Sequence, residues 1–190
     1  VRMSVPLILG SVGEVVAEKT GVMNIGLEGQ MLIAALSSFI VAYFTGSLAL
    51  GILFGGISGM LGALLIAFWG VSRKQDQSVV GIMFNIFALG FTNFLYRAIF
   101  GVGTDKAQVD ILQTIPIPGL SRIPWLGEIL FQQNILVYLA LIMAFVALYI
   151  MRRTKFGLQI EATGENPQAA QAAGIRVKRI RYFGYLFFGF

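Results

Sequence analysis

Leu48-Ala-Leu-Gly-Ile-Leu-Phe-Gly-Gly-Ile-Ser-Gly-Met-Leu-Gly-Ala-Leu-Leu-Ile-Ala-Phe-Trp-Gly-Val71 carries no charged residue from end to end. It is longer than the about 20 apolar residues that cross a hydrocarbon core as a helix. Within it Gly51, Gly55, Gly59 and Ala63 recur every fourth residue. That spacing lines small side chains along one helix face and lets a neighbouring helix come close. Close packing is the first reading of the stripe, and a helix that slides against its neighbour is the second.

Working outward, the turn Thr45-Gly46-Ser47 precedes this span, and Arg73-Lys74-Gln75-Asp76 follows it. Upstream, Met31 to Phe44 reads as another span beginning near Leu27. Val5 to Val16 reads as a short or re-entrant helix. Glu14, Glu18 and Lys19 mark a polar edge, and Gly21, Gly26 and Gly29 follow closely. Each glycine costs about 1 kcal/mol in a helix relative to Ala, so a break is expected near Gly21–Gly26. Downstream, Ser78 to Tyr96 is a third span. Ile135 to Met151 is a fourth, close to the lower length limit. An apolar stretch from Tyr182 to Phe190 starts a fifth but supplies less than half of the about 20 residues that a crossing needs. The chain starts with Val1 and shows no signal peptide, so it reads as part of a longer protein.

The fold class is therefore all-α, a polytopic helical membrane protein with about four complete spans and a truncated fifth. Apolar residues make up 57%, charged residues 12%, and the mean hydropathy is +0.80. Basic residues gather at Arg73–Lys74, at Arg152, Arg153 and Lys155, and at Arg176, Lys178, Arg179 and Arg181. The positive-inside rule places those loops in the cytoplasm. The intervening Gly101–Asn134 segment is then outside. It holds Pro116, Pro118, Pro124 and Trp125, and balances Lys106 and Arg122 against Asp105, Asp110 and Glu128. The net charge of +5 is accounted for by this topology, and nucleic acid is not expected as a partner.

Several chemistries are excluded. There is no Cys and no His, which removes thiolate metal sites, the commonest metal ligand and the commonest general base. No Gly-x-x-x-x-Gly-Lys-Ser/Thr loop occurs, so the chain is not expected to hydrolyse ATP, and no nucleophile elbow or metal-ligand cluster appears. Neither a catalytic residue nor a cofactor is expected.

Two polar features remain. In the third span Ser78, Asn85, Thr92 and Tyr96 fall within about 20° of one line at roughly 100° per residue. Such a stripe faces another helix or a cavity rather than lipid. Phe84, Phe87, Phe91 and Phe94 accompany it. Near the glycine-rich break, Asn24 and Glu28 flank a discontinuous helix. Glu28 suits a helix N-terminus, where the dipole favours a carboxylate. A discontinuous helix can also shape the inner end of a translocation path.

The second feature is Glu161-Ala-Thr-Gly-Glu-Asn-Pro-Gln-Ala-Ala-Gln-Ala-Ala-Gly-Ile175, small, polar and Ala-rich between two apolar segments. Asn166 is suited to cap a helix, Pro167 to be its first residue, and Gly174 to stop it. Ala169, Ala170, Ala172 and Ala173 give that helix almost no bulk.

Gly164-Glu165-Asn166-Pro167, followed by Ala169-Ala170 and Gly174-Ile175, resembles the coupling loop of ABC-importer permeases that move nucleosides, simple sugars and branched-chain amino acids. Glu18-Lys-Thr-Gly-Val-Met-Asn-Ile-Gly-Leu-Glu-Gly29 resembles the first membrane region of that family, nearest its nucleoside and simple-sugar members. The order of the two blocks also matches, and with the hydropathy between them the resemblance covers residues 1–190 as part of one permease domain. It implies that residues 161–175 seat in a cytoplasmic ATPase that uses the ATP. It also implies a second permease subunit, identical or not, an extracytoplasmic solute receptor facing Gly101–Asn134, and residence in the cell membrane.

The expected function is the membrane subunit of an ATP-driven importer for nucleosides or simple sugars, with Asn24, Glu28, Ser78, Asn85, Thr92 and Tyr96 as candidate path residues. A branched-chain amino-acid permease is the alternative within the family. Such a site needs partners for a carboxylate and an ammonium. An ion-driven carrier would carry acidic groups deep in its spans, and the spans show none. A membrane enzyme would need a reactive cluster.

Overall fold

Where the chain turns is decided by a few capping groups. The computed structural model describes residues 5–101, 114–116 and 132–189. Helix α1 (Val5–Lys19) ends at Gly21, whose φ of 75° lies in the left-handed region. Residues 20–26 are not helical, so the break expected at the glycines is present. Helix α2 (Leu27–Thr45) follows and ends at Gly46. Ser47 caps α3 (Leu48–Ala67) by accepting from the Leu50 amide. The span continues as a π-helical turn through Phe68–Ser72. The Asp76 carboxylate then accepts from the amides of Ser78 and Val79 and starts α4 (Gln77–Phe100).

After the long segment come α5 (Ile135–Arg153), α6 (Lys155–Glu165), α7 (Pro167–Ala172) and α8 (Val177–Gly189). Within that segment strands β1 (Thr114–Pro116) and β2 (Gln132–Asn134) pair antiparallel, with Thr114 opposite Asn134. Pro118, Pro124, Trp125 and the charges Asp105, Lys106, Asp110, Arg122 and Glu128 lie outside the described residues.

Among the described residues four helices are long and apolar enough to cross a membrane: Leu27–Thr45, Leu48–Ser72, Gln77–Phe100 and Ile135–Arg153. The fold is all-α and polytopic. Leu61, Met83, Ile86, Phe94, Ile142 and Phe145 are exposed on these spans, as lipid-facing side chains must be.

Lipid tails are as apolar as Leu, so helix association depends on close packing and interhelical hydrogen bonds. The small-residue stripe of α3 supplies the packing and divides its length between two partners. Gly51 and Gly55 admit Ala34, Ser38 and Ala42 of α2. Gly59 and Ala63 meet Gly189 of α8, where a Cβ on Gly59 would collide with the Gly189 carbonyl. Ser37 and Ser58 join α2 to α3 by a 2.5 Å hydroxyl–hydroxyl bond. Although short, α8 enters the bundle between α1 and α3. Its Tyr185 is fully buried with Val22, Ala63, Ile66 and Ala67.

One element differs from the sequence reading. The helix at Lys155–Glu165, between the fourth span and the capped helix at Pro167, was not singled out in the sequence. The fourth span ends at Arg153, and Thr154 immediately caps α6, accepting from the Gly157 amide at 3.1 Å. Gly157 packs against the carbonyls of Ile150 and Met151, where no Cβ would fit. Polar composition concealed this helix, whose apolar anchors in the core are Ile160 and, partly buried, Phe156.

Candidate functional site

The segments read as cytoplasmic are distant in sequence, and the fold gathers them at one end of the bundle. Lys19 Nζ lies 3.1 Å from Glu161 Oε1. The Met23 amide donates to Gln77 Oε1 at 2.8 Å, and the hydroxyls of Ser72 and Tyr182 are 2.6 Å apart. At the opposite end Phe39, Tyr43, Phe44, Tyr96 and Phe100 form an aromatic cluster between α2 and α4. Aromatic rings of this kind favour the membrane–water boundary.

The Glu161–Ile175 segment is two helices at an elbow. Asn166 Oδ1 accepts from the Ala169 amide at 3.0 Å, and Pro167 occupies the first turn of α7. Gly174, with φ 84°, ends the helix, and the Ile175 amide donates to the Ala170 carbonyl at 3.0 Å. The alanines divide. Ala170 is buried, whereas Ala169, Ala172 and Ala173 are exposed together with Glu165 and Asn166. Pro167 and Ile175 are half-buried. The result is a small, smooth knob resting on α6. Gly164 joins the knob to the rest of the molecule. A Cβ there would strike the Lys19 carbonyl, and a Cβ on Gly21 would lie 3.1 Å from Gly164 Cα. The C-terminal end of α6, on which the knob rests, is thus seated on the break between α1 and α2.

That break holds most of the remaining polar candidates. Asn85 of α4 stitches it: Oδ1 accepts from the Gly29 amide at 2.8 Å, and Nδ2 donates to the Ile25 carbonyl at 2.9 Å. Asn24 is buried; its amide donates to Glu14 Oε1 and its side chain to Gln30 Oε1, both at 3.4 Å. Glu14 Oε2, Asn24 Oδ1 and Gln30 Nε2 are buried with no hydrogen-bond partner among the described residues. Buried polar groups are normally paired, so three unpaired polar atoms around one short break mark an unusual place. Glu14 also borders a cavity of about 290 Å³ shared with Gly10, Leu27 and Met31.

The remaining candidates are not in this group. Glu28 is exposed at the start of α2, and Ser78 is half-buried at the start of α4. Thr92 is buried, and its hydroxyl donates to the Ala88 carbonyl of its own helix at 2.7 Å. Tyr96 belongs to the aromatic cluster at the far end. Sequence reasoning passed over Glu14 as an edge residue and did not single out Gln30. The available signal for Gln30 was its position one turn into an apolar helix, on the side facing Asn24.

Residues 1–190 match the family described as branched-chain amino acid transport system / permease component. The chain belongs to that family. It is 40% identical over 195 residues to a guanosine ABC transporter permease protein, NupQ, of Bacillus subtilis (strain 168), covering 97% of this chain and 60% of the relative. It is 39% identical to a nucleoside ABC transporter permease protein, NupC, of Lactococcus lactis subsp. cremoris (strain MG1363), covering 98% and 61%. A glucose ABC transporter permease protein, TsgB13, of Haloferax volcanii is 27% identical, covering 98% and 52%. No solved structure matches. The chain spans about 60% of the length of the first two permeases. Within the permease family, the apolar bundle and the basic inner end together describe a multi-pass protein of the cell membrane.

Proposed function

We propose that this chain forms part of the translocation path of an ATP-driven importer for nucleosides, and that residues 161–175 receive the motion of a cytoplasmic ATPase. The observation that carries the reading is the Gly164–Gly21 contact. It seats α6, the helix that carries the exposed small-residue α7, against the break around which Glu14, Asn24 and Gln30 gather. A partner gripping α7 would then move the break as one body with the knob. Gly164, Glu165, Asn166, Pro167, Ala169, Ala170, Gly174 and Ile175 build the knob and its seat. Asn24 and Asn85, with Glu14 and Gln30 added, are the polar groups nearest the moving part. Their unpaired donors and acceptors suit a neutral solute rich in hydroxyl and base groups.

A full importer of this kind carries two permease subunits, two ATPases and a receptor outside. The chain's own part involves no cofactor and no ATP chemistry. Simple sugars are the second reading, favoured by the glucose permease among the relatives.

The test is uptake of labelled nucleoside by cells expressing the full-length permease with its ATPase, with ribose, galactose and leucine as competitors. Uptake that depends on the ATPase and is competed only by nucleosides is expected. Competition by a sugar transfers the substrate to the second reading. Uptake that persists without the ATPase rejects the importer.

A further inference from the structure

A cavity of about 1190 Å³ is separate from the Glu14–Asn24–Gln30 group. It is a groove on the outer surface of the bundle where α1, α5 and α6 meet. Its two ends differ in chemistry. Toward mid-span it is lined by Val12, Val15, Ala144 and Leu148, and toward the inner end by Lys19, Arg152, Arg153 and Lys155. Leu148, Leu158 and Val15 are each about half exposed or more, so the apolar wall is open along its length. Lys19 is paired with Glu161. Among the described residues Arg152, Arg153 and Lys155 form no ion pair, and Arg152, Arg153 and Lys155 are exposed.

We infer that this groove binds an anionic phospholipid, one acyl chain lying along α1 and α5 and the phosphate held by Arg152, Arg153 and Lys155. The order of the chemistry along the groove selects this occupant. A free phosphate would use the basic rim and gain nothing from the apolar wall. A zwitterionic lipid would fill the wall but bring a positive group against three cations. Only an amphiphile with a net negative head satisfies both ends. Basic pockets between spans on the cytoplasmic side bind anionic heads on this principle, with about 1 kcal/mol available per Lys or Arg. The groove also bears on the proposed coupling route without depending on it. Its floor is Thr154 and the start of α6, the helix that carries the α7 knob.

The experiment uses the purified full-length permease with its subunits, exchanged into vesicles of phosphatidylcholine containing a minor fraction of phosphatidylglycerol. Lipid retained on the protein is counted by native mass spectrometry. Wild type should retain phosphatidylglycerol in clear excess of its share of the bilayer. Arg152→Gln with Arg153→Gln and Lys155→Gln should reduce that excess at least about tenfold. Leu148→Trp, which fills the apolar half and leaves every charge in place, should reduce it too. Arg176→Gln with Lys178→Gln and Arg179→Gln removes the same charge elsewhere on the inner end and should leave the excess standing. Equal loss in both triple variants, or full retention in Leu148→Trp, would overturn the site in favour of unspecific attraction. Displacement of the lipid by millimolar inorganic phosphate would overturn the lipid and leave an anion site.

Discussion

Gly164 and Gly21 meet backbone to backbone, 143 positions apart in the chain, at the junction of the α6–α7 elbow with the α1–α2 break. Gly21 needs its left-handed φ of 75°, and Gly164 needs the space that a Cβ would take from the Lys19 carbonyl. Gly164→Ala must therefore push the elbow away from the break. Overpacking of this kind costs about 1–3 kcal/mol. Uptake should fall at least tenfold (about 1.4 kcal/mol), and ATP hydrolysis by the assembled transporter should continue. Wild-type uptake in this variant would remove the contact from the coupling route.

The two adjacent alanines of α7 should respond differently to the same substitution. Ala169 is exposed, whereas Ala170 is buried, with only 4% of its surface exposed. Ala169→Arg should abolish uptake while membrane level and thermal midpoint stay at wild-type values, because only an incoming surface meets it. Ala170→Arg forces a guanidinium into the seat beneath α7 and should also lower the amount of folded protein. Normal transport by Ala169→Arg would exclude that face of α7 as the docking surface.

Asn85 and Thr92 share a helix stripe but not a role in stability. Asn85→Leu strands the Gly29 amide and the Ile25 carbonyl, each costing about 1–3 kcal/mol when left unpaired in a buried place. The thermal midpoint in detergent should drop by several degrees. Thr92→Val removes a hydroxyl whose bond goes to its own helix at Ala88, and the loss should stay below about 1 kcal/mol. Equal shifts would mean that Asn85 is not the stitch.

The Lys19–Glu161 ion pair should be nearly silent. Both side chains are about half exposed, 50% and 45%. Exposed pairs contribute about 0–1 kcal/mol and are screened by salt. Lys19→Ala should move the thermal midpoint by no more than about two degrees at 0.15 M salt, and by less at 1 M. A larger, salt-independent loss would show that Lys19 acts through packing of its stem.

Asn166→Ala removes the cap whose oxygen accepts from the Ala169 amide, a change worth about 1 kcal/mol. The six-residue α7 has little else to hold its first turn. Faster amide exchange confined to 167–172, with reduced uptake, is expected. Unchanged exchange would show that the seat on α6, not the cap, fixes the helix.

The sequence by itself determined the spans, their turns, the capped α7 and the basic end. These follow from composition and local chemistry: uncharged runs of sufficient length, Gly46 and Ser47 at a turn, Asn166-Pro167 before a helix and Gly174 after it. Local rules sufficed because a helix in lipid must satisfy its backbone within its own segment. Tertiary structure alone decided which faces meet. The stripe on α3 could be read, but its division between α2 and α8 depended on where α8 inserts. The polar line on α4 could also be read, yet Asn85 turned to the break, Thr92 to its own helix and Tyr96 to an aromatic cluster. A 3.6-residue period fixes direction around one axis and says nothing of the neighbour at each depth. Glu14 and Gln30 lay in plain view as residues. Only the return of the chain through Thr20–Gly26 brought them to Asn24, and only the seating of α6 against α1 opened the groove beside Arg152 and Arg153.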